Sequence, residues 1–129
     1  EQSAGIVNAT SFHDGLDTDA ARSFLQKFQD FTGEQSYVGD YGELGYRGIH
    51  LWALAAQKAG DSSADAVIEA LPGISFNSPG GSVTIDSATN HAIMDIHLVE
   101  ANHNQGWDHL GTFEQLSPVD PNATCNLTG

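Results

Sequence analysis

Three things are scarce in this sequence. Cysteine occurs once, at Cys125, and basic residues occur four times, at Arg22, Lys27, Arg47 and Lys58. Long apolar runs do not occur at all. A lone cysteine has no partner in its own chain, so an internal disulfide is excluded. Cys125 is left as an idle thiol or one that pairs with another chain. Four bases against seventeen acids give a formal net charge of −13. That field repels phosphate backbones and anionic lipid, which argues against nucleic-acid and membrane-surface roles. The simplest meaning of the charge is solubility, and a saline habitat is the second. Crossing a bilayer takes about twenty uncharged apolar residues. The most apolar stretch, residues 44–59, is interrupted by Arg47, His50 and Lys58. The opening Glu-Gln-Ser-Ala-Gly has neither the basic nor the apolar region of a secretion signal, so any such signal has been removed or was never there.

What is present suits one globular unit with a modest core: 129 residues, 40% of them hydrophobic. Sequons at Asn8, Asn122 and Asn126 matter only in a eukaryotic secreted protein. Residues 5–12, with Ile6, Val7, Thr10 and Phe12, have strand character and break at His13-Asp14-Gly15. Asp17 or Thr18 is placed to cap a helix whose apolar positions Ala21, Phe24, Leu25, Phe28 and Phe31 keep helical spacing up to Gly33. A second helix is expected from Gly42 or Glu43 to Gly60, apolar around most of its circumference and therefore buried. Ser62 or Ser63 then caps a short third helix that Pro72-Gly73 ends. Beyond it the period becomes alternating. Val83 and Ile85 form one strand, residues 86–90 a turn, and residues 92–99 a second strand apolar on both faces. Residues 102–106 read as a turn, residues 107–113 as a last strand, and residues 117–129 as an irregular tail.

This inventory asks for more protein than it contains. A helix buried on all sides and a strand covered on both faces need neighbours that three helices and three or four strands do not supply. The expectation is a part of something larger, or a chain that self-associates into a homo-oligomer through its bare apolar faces.

Three motifs, in order, carry a resemblance. Residues 11–18, Ser-Phe-His-Asp-Gly-Leu-Asp-Thr, resemble an aromatic-x-x-x-(Ile/Leu)-Asp-Thr entry to a helix. Glu43-Leu44-Gly45-Tyr46, with Leu51-Trp52 and Lys58-Ala59-Gly60, is similar to a Glu-Ala-Ala-Tyr helix ending in Ala-Gly, with Leu-Gly standing for the usual Ala-Ala. Phe76, Pro79-Gly80-Gly81, Val83-Thr84-Ile85-Asp86 and Asn90-His91 match a Phe-x-(Ala/Ser)-Pro-x-Gly-x-Val-x-Ile-Asp-x-x-Asn-His element. Pro118-Val119-Asp120-Pro121 looks like the Pro-x-Pro tail of amide-sensing members. Together these resemble the C-terminal portion of type 1 periplasmic binding proteins, in the branch that binds branched-chain amino acids, urea and short amides.

The resemblance implies an α/β fold, here a partial one: three helices, then a β-hairpin and a final strand. Residues 13–100 would be mostly first-lobe elements and residues 101–129 the return crossover and tail. It implies a periplasmic or otherwise extracytoplasmic protein that closes on a small solute by hinge motion and delivers it to an ABC transporter permease, with no cofactor. The alternatives are a cytoplasmic amide-sensing regulator of the same fold and a freestanding enzyme or structural domain. An amide or urea offers N–H groups that need acceptors, which makes Glu43, at the start of a buried helix, the first candidate contact. Tyr41 and Tyr46 are candidate walls or hydroxyl donors. Against these stand structural roles: Glu43 complementing its own helix terminus, and Tyr46 packing in the core. His91, His97, His103 and His109 recur every six residues, a spacing that fits neither a helical i, i+4 pair nor one face of one strand, so no metal site is expected. His97 beside Asp95 imitates an acid–base pair, but no nucleophile with an ordered partner stands out, and no catalytic residue is assigned.

Overall fold

The computed structural model describes residues 3–33 and 37–117. The chain order is β1 (Val7–Thr10), α1 (Asp19–Thr32), α2 (Asp40–Ala59), α3 (Ala64–Ala70), β2 (Ser75–Ser78), β3 (Gly81–Ile85), β4 (Ala92–Ala101) and β5 (Trp107–Leu116). The switch of hydrophobic period in the sequence is thus a switch from helices to sheet. Thr18 caps α1, its Oγ1 accepting the Ala21 N–H at 3.1 Å, and Gly33 ends the helix in the left-handed region. Gly60 ends α2 in the same way. α2 begins at Asp40, two or three residues earlier than the periodicity suggests, and its N-cap Gly39 supplies no side-chain cap.

β4 is the axis of an antiparallel sheet. Residues 92–94 pair with β3 and residues 97–100 with β1, while the other edge of β4 carries β5 along most of its length. β2 is outermost and pairs with β3 from Ser75↔Thr84 to Ser78↔Gly81. The hairpin between them turns at Pro79-Gly80, and both residues are buried. A Cβ on Gly80 would collide with the Ser11 carbonyl oxygen, and one on Gly81, at φ 123°, with the Asp95 carboxylate. Only glycine lets these strands approach so closely.

The core has two halves. Leu51, Ala55, Val67, Ala70, Ile74, Val83 and Ile85 join α2 and α3 to β3. Phe12, Ala21, Phe24 and Val38 fill the space under α1, with Phe12 edge-on to Phe24 at 5.6 Å. Each fully buried aliphatic side chain adds about 1.5–3 kcal/mol of transfer free energy. Between the halves, α2 contributes not apolar groups but Glu43 and Arg47.

Here the structure departs from the expectation of an all-round buried α2. Its buried residues are Glu43, Arg47, Leu51 and Ala55, one face at i, i+4 spacing, whereas Tyr41, Ile49 and Trp52 are exposed. Gly45 and Gly48 also look out of this helix, with nothing near the position a Cβ would take. β4 is half-buried along most of its length, not covered on both faces. β2 is a strand where the sequence suggested only the approach to a turn, and β5 runs on to Leu116. The turn expected at residues 102–106 is present, with Asn102 Oδ1 accepting the N–H groups of Asn104 and Gly106, both at 3.0 Å. No described helix is long and apolar enough to cross a membrane. Cys125, Asn122, Asn126 and Pro118-Val119-Asp120-Pro121 lie outside the described residues.

Candidate functional site

Two relays of hydrogen bonds leave the peptide groups of Gly80. The Gly80 N–H donates to Ser78 Oγ at 3.2 Å, and Ser78 donates to Glu43 Oε1 at 2.6 Å. Glu43 Oε2 lies 3.1 Å from Arg47 Nη2. The same Nη2 donates to Ser11 Oγ at 2.9 Å, and Ser11 donates to Asp40 Oδ1 at 2.6 Å. Glu43 is 0% exposed, and its carboxyl is held above the ordinary carboxylate range. Burial is the main cause, opposed by the Ser78 hydroxyl and the Arg47 guanidinium. Arg47 also reaches Met94 Sδ at 3.2 Å, tying α2 to β4.

The second relay starts at the Gly80 carbonyl. A carbonyl only accepts, so His97 Nε2, 2.8 Å away, carries a hydrogen. With the imidazoles neutral, the remaining hydrogens follow. Thr112 donates to His97 Nδ1 at 3.0 Å, His109 Nε2 donates to Thr112 at 3.1 Å, and His13 Nε2 donates to His109 Nδ1 at 3.3 Å. The relay ends on His13 Nδ1, a bare acceptor with no partner among the described residues. His13 is 3% exposed. Burial first, then the like-charged His97 and His109, hold its pKa below the usual histidine value, and Asp14 opposes them. The three rings form a triangle with centroids 5.5 to 5.9 Å apart. Among the described residues no group of three or more His, Cys, Asp or Glu side chains is arranged to hold a metal ion.

Both relays finish at the wall of one groove of about 220 Å³ beside the start of α2. Phe12 and His13 are buried in its floor, Tyr37, Tyr41 and Trp107 stand around it, and Asp40 lines it from the first turn of the helix. Tyr37 and Tyr41 are 67% and 89% exposed. A larger hollow of about 430 Å³ lies on the far side of the histidines, lined by Thr18, Asp95, His97, His109, Thr112 and the Pro79-Gly80-Gly81 turn. Both His97 nitrogens in it are bonded, Asp95 Oδ1 accepts the Gln115 N–H at 2.8 Å and its side-chain amide at 3.0 Å, and Glu114 also lines it. The smaller groove combines apolar aromatic surface with the Asp40 carboxylate at a helix start, as small-molecule sites do.

The three residues singled out from sequence are not gathered together. Tyr41 lines the groove. Glu43 turns into the interior as the middle of the first relay. Tyr46 packs against Phe24 and His50, with centroids at 4.9 and 4.4 Å, and His50 stacks on Phe76. Tyr37, Asp40, His13 and Trp107 escaped the sequence reading. The signal for the first two was local: Tyr37 and Tyr41 bracket the uncapped Gly39-Asp40 helix start. The six-residue histidine spacing fits neither one helix nor one strand face, but His97 and His109 meet across β4 and β5, and His13 joins them, 96 positions from His109.

Comparison with known proteins agrees with this architecture. The family model described as "Periplasmic binding protein domain" matches residues 1–126. A solute binding protein of an ABC transporter from Rhodopseudomonas palustris, solved with p-hydroxybenzoic acid, is 25% identical, with a TM-score of 0.79 over 91% of this chain and 33% of its own. The leucine-, isoleucine-, valine-, threonine- and alanine-binding protein of Brucella ovis shows 19% identity and a TM-score of 0.73 over 95% of this chain and 35% of its own. A curated relative named limonene hydroxylase, from Geobacillus stearothermophilus, is 25% identical over 118 residues, which is 92% of this chain and 22% of that protein. The chain therefore spans about a third of these solved structures and about a fifth of the curated relative. Its helices and antiparallel sheet form a partial periplasmic-binding-protein fold, and the chain belongs to the periplasmic binding protein domain family.

Proposed function

We infer that this chain is part of the extracytoplasmic solute-binding component of an ABC importer and takes a small amide, urea or a branched-chain amino acid at the groove beside α2. The observation that carries this reading is the groove itself, where aromatic walls and the Asp40 carboxylate meet at an uncapped helix start. Its volume suits a solute of few heavy atoms. In the same reading residues 13–100 belong mostly to one lobe and residues 101–129 lead back across the hinge. Closure by the second lobe would complete the solute's surroundings, and the closed form would dock on a permease in the membrane. Of the sequence candidates, Tyr41 contacts the solute, Glu43 acts on Asp40 only through Arg47 and Ser11, and Tyr46 packs in the core against Phe24 and His50. Binding rather than turnover is favoured because the buried acid and two of the three clustered imidazoles are already engaged with protein partners.

Trp107 lines the groove and reports directly on it. With Trp52 replaced by Phe, the remaining fluorescence should shift on titration with urea, acetamide or leucine. A flat response to all three at saturating concentration would overturn the reading.

A further inference from the structure

Among the described residues Asp40 is the one carboxylate lining the groove, and a buried ion pair holds the hydroxyl that aims it. Asp40 Oδ1 takes the Ser11 hydroxyl hydrogen, and among the described residues its other oxygen has no partner. Ser11 in turn has its lone pair occupied by Arg47, which Glu43 holds from one helical turn away. This order fixes the Ser11 hydrogen on Asp40, so the carboxylate is aimed while its free oxygen is not used up. His13 also lines the groove, with its buried Nδ1 turned toward Gly15 and without a hydrogen-bond partner among the described residues. No lysine or arginine side chain lines the groove. The Asp40 carboxylate offsets the positive end of α2 and, with an aromatic rim, suits N–H groups and positive charge over a solute carboxylate.

We propose that Asp40 is the specificity-determining acceptor of the groove, selecting a solute end that bears N–H donors and no negative charge. Ser11, Arg47 and Glu43 are positioning residues that aim it. The proposal rests on the solute-site reading above and names the residue and the polarity by which the site discriminates. It also separates this chain from relatives of similar fold solved with benzoate or hydroxybenzoates, whose ligands are acids.

The test uses two near-isosteric pairs, acetamide with acetate and benzamide with benzoate, followed through the backbone amide resonances of Tyr37, Tyr41 and Trp107. In the unaltered chain each amide should bind at least about tenfold more tightly than its acid, the factor expected of one charge-assisted hydrogen bond gained against one repulsion. In Asp40→Asn the gap should close to about twofold or less, because the amide side chain both donates and accepts. Ser11→Ala should weaken amide binding while leaving the far-ultraviolet spectrum and the Trp52 signal unchanged. Acids binding as tightly as amides, or a gap that survives Asp40→Asn, would overturn this proposal alone. Silence from all four probes at those resonances would overturn the solute-site reading and this proposal with it.

Discussion

The two relays that leave Gly80 are made of opposite kinds of group. One runs through a carboxylate and a guanidinium in the dry interior of α2, and the other through three imidazoles and a hydroxyl at the β4–β5 surface. The first holds its geometry by charge that ordinary pH does not remove from arginine. The second holds its geometry by tautomers, and one added proton turns an imidazole's acceptor nitrogen into a donor. One groove wall is therefore set by a permanent device and the other by a titratable one.

The largest effect should come from breaking the permanent relay on its acid side. Glu43→Ala leaves Arg47 charged, buried and unpaired, and should cost about 3–5 kcal/mol in urea denaturation. Removing the base is a different experiment. In Arg47→Met the acid can take up a proton, since burial already raises its pKa. A carboxyl raised in the folded state contributes stability that is fully present below its unfolded pKa and is lost as pH rises through the folded value. Arg47→Met should thus be more stable near pH 5 than near pH 8, an asymmetry that Glu43→Ala does not share.

Next in size is the common origin of the relays. Gly80→Ala forces a Cβ against the Ser11 carbonyl in a buried turn and should lower stability by about 1–3 kcal/mol, with both relays disturbed together. The titratable relay should respond to acid. A base whose folded pKa is lowered contributes stability that is present above its unfolded value, near 6.5, and lost as pH falls through the folded one. Thermal melts should show lower stability at pH 5.5 than at pH 8, and His13→Gln should flatten that difference. The smallest effect on stability belongs to the rim. Tyr41→Ala should stay within about 0.5 kcal/mol of the parent in denaturation, while weakening the fluorescence-detected binding of acetamide.

Local signals account for what the sequence disclosed. Thr18, Gly33 and Gly60 bound their helices through caps that depend on a few adjacent residues, so those helices were legible. β2 was not, because Ser75-Phe76-Asn77-Ser78 has one apolar residue and becomes a strand only by pairing with β3. Glu43 and Arg47 at i, i+4 look like an exposed helix pair, and their burial follows from Ser78 and Ser11, which arrive from elsewhere in the chain. The candidate site was partly visible at Tyr41 for the reason that Asp40 was overlooked. Aromatic residues near a helix start draw attention as walls, whereas a first-turn aspartate is adequately explained by the helix dipole. Its second role depends on Ser11, twenty-nine positions earlier.

The open space around Gly45 and Gly48 gives an engineering handle. Glycine inside a helix costs about 0.5–1 kcal/mol relative to alanine, and in this chain neither position has a neighbour to make room for. Replacing both with alanine should raise the melting temperature of the isolated chain, giving a sturdier scaffold on which groove variants can be compared without the fold itself giving way.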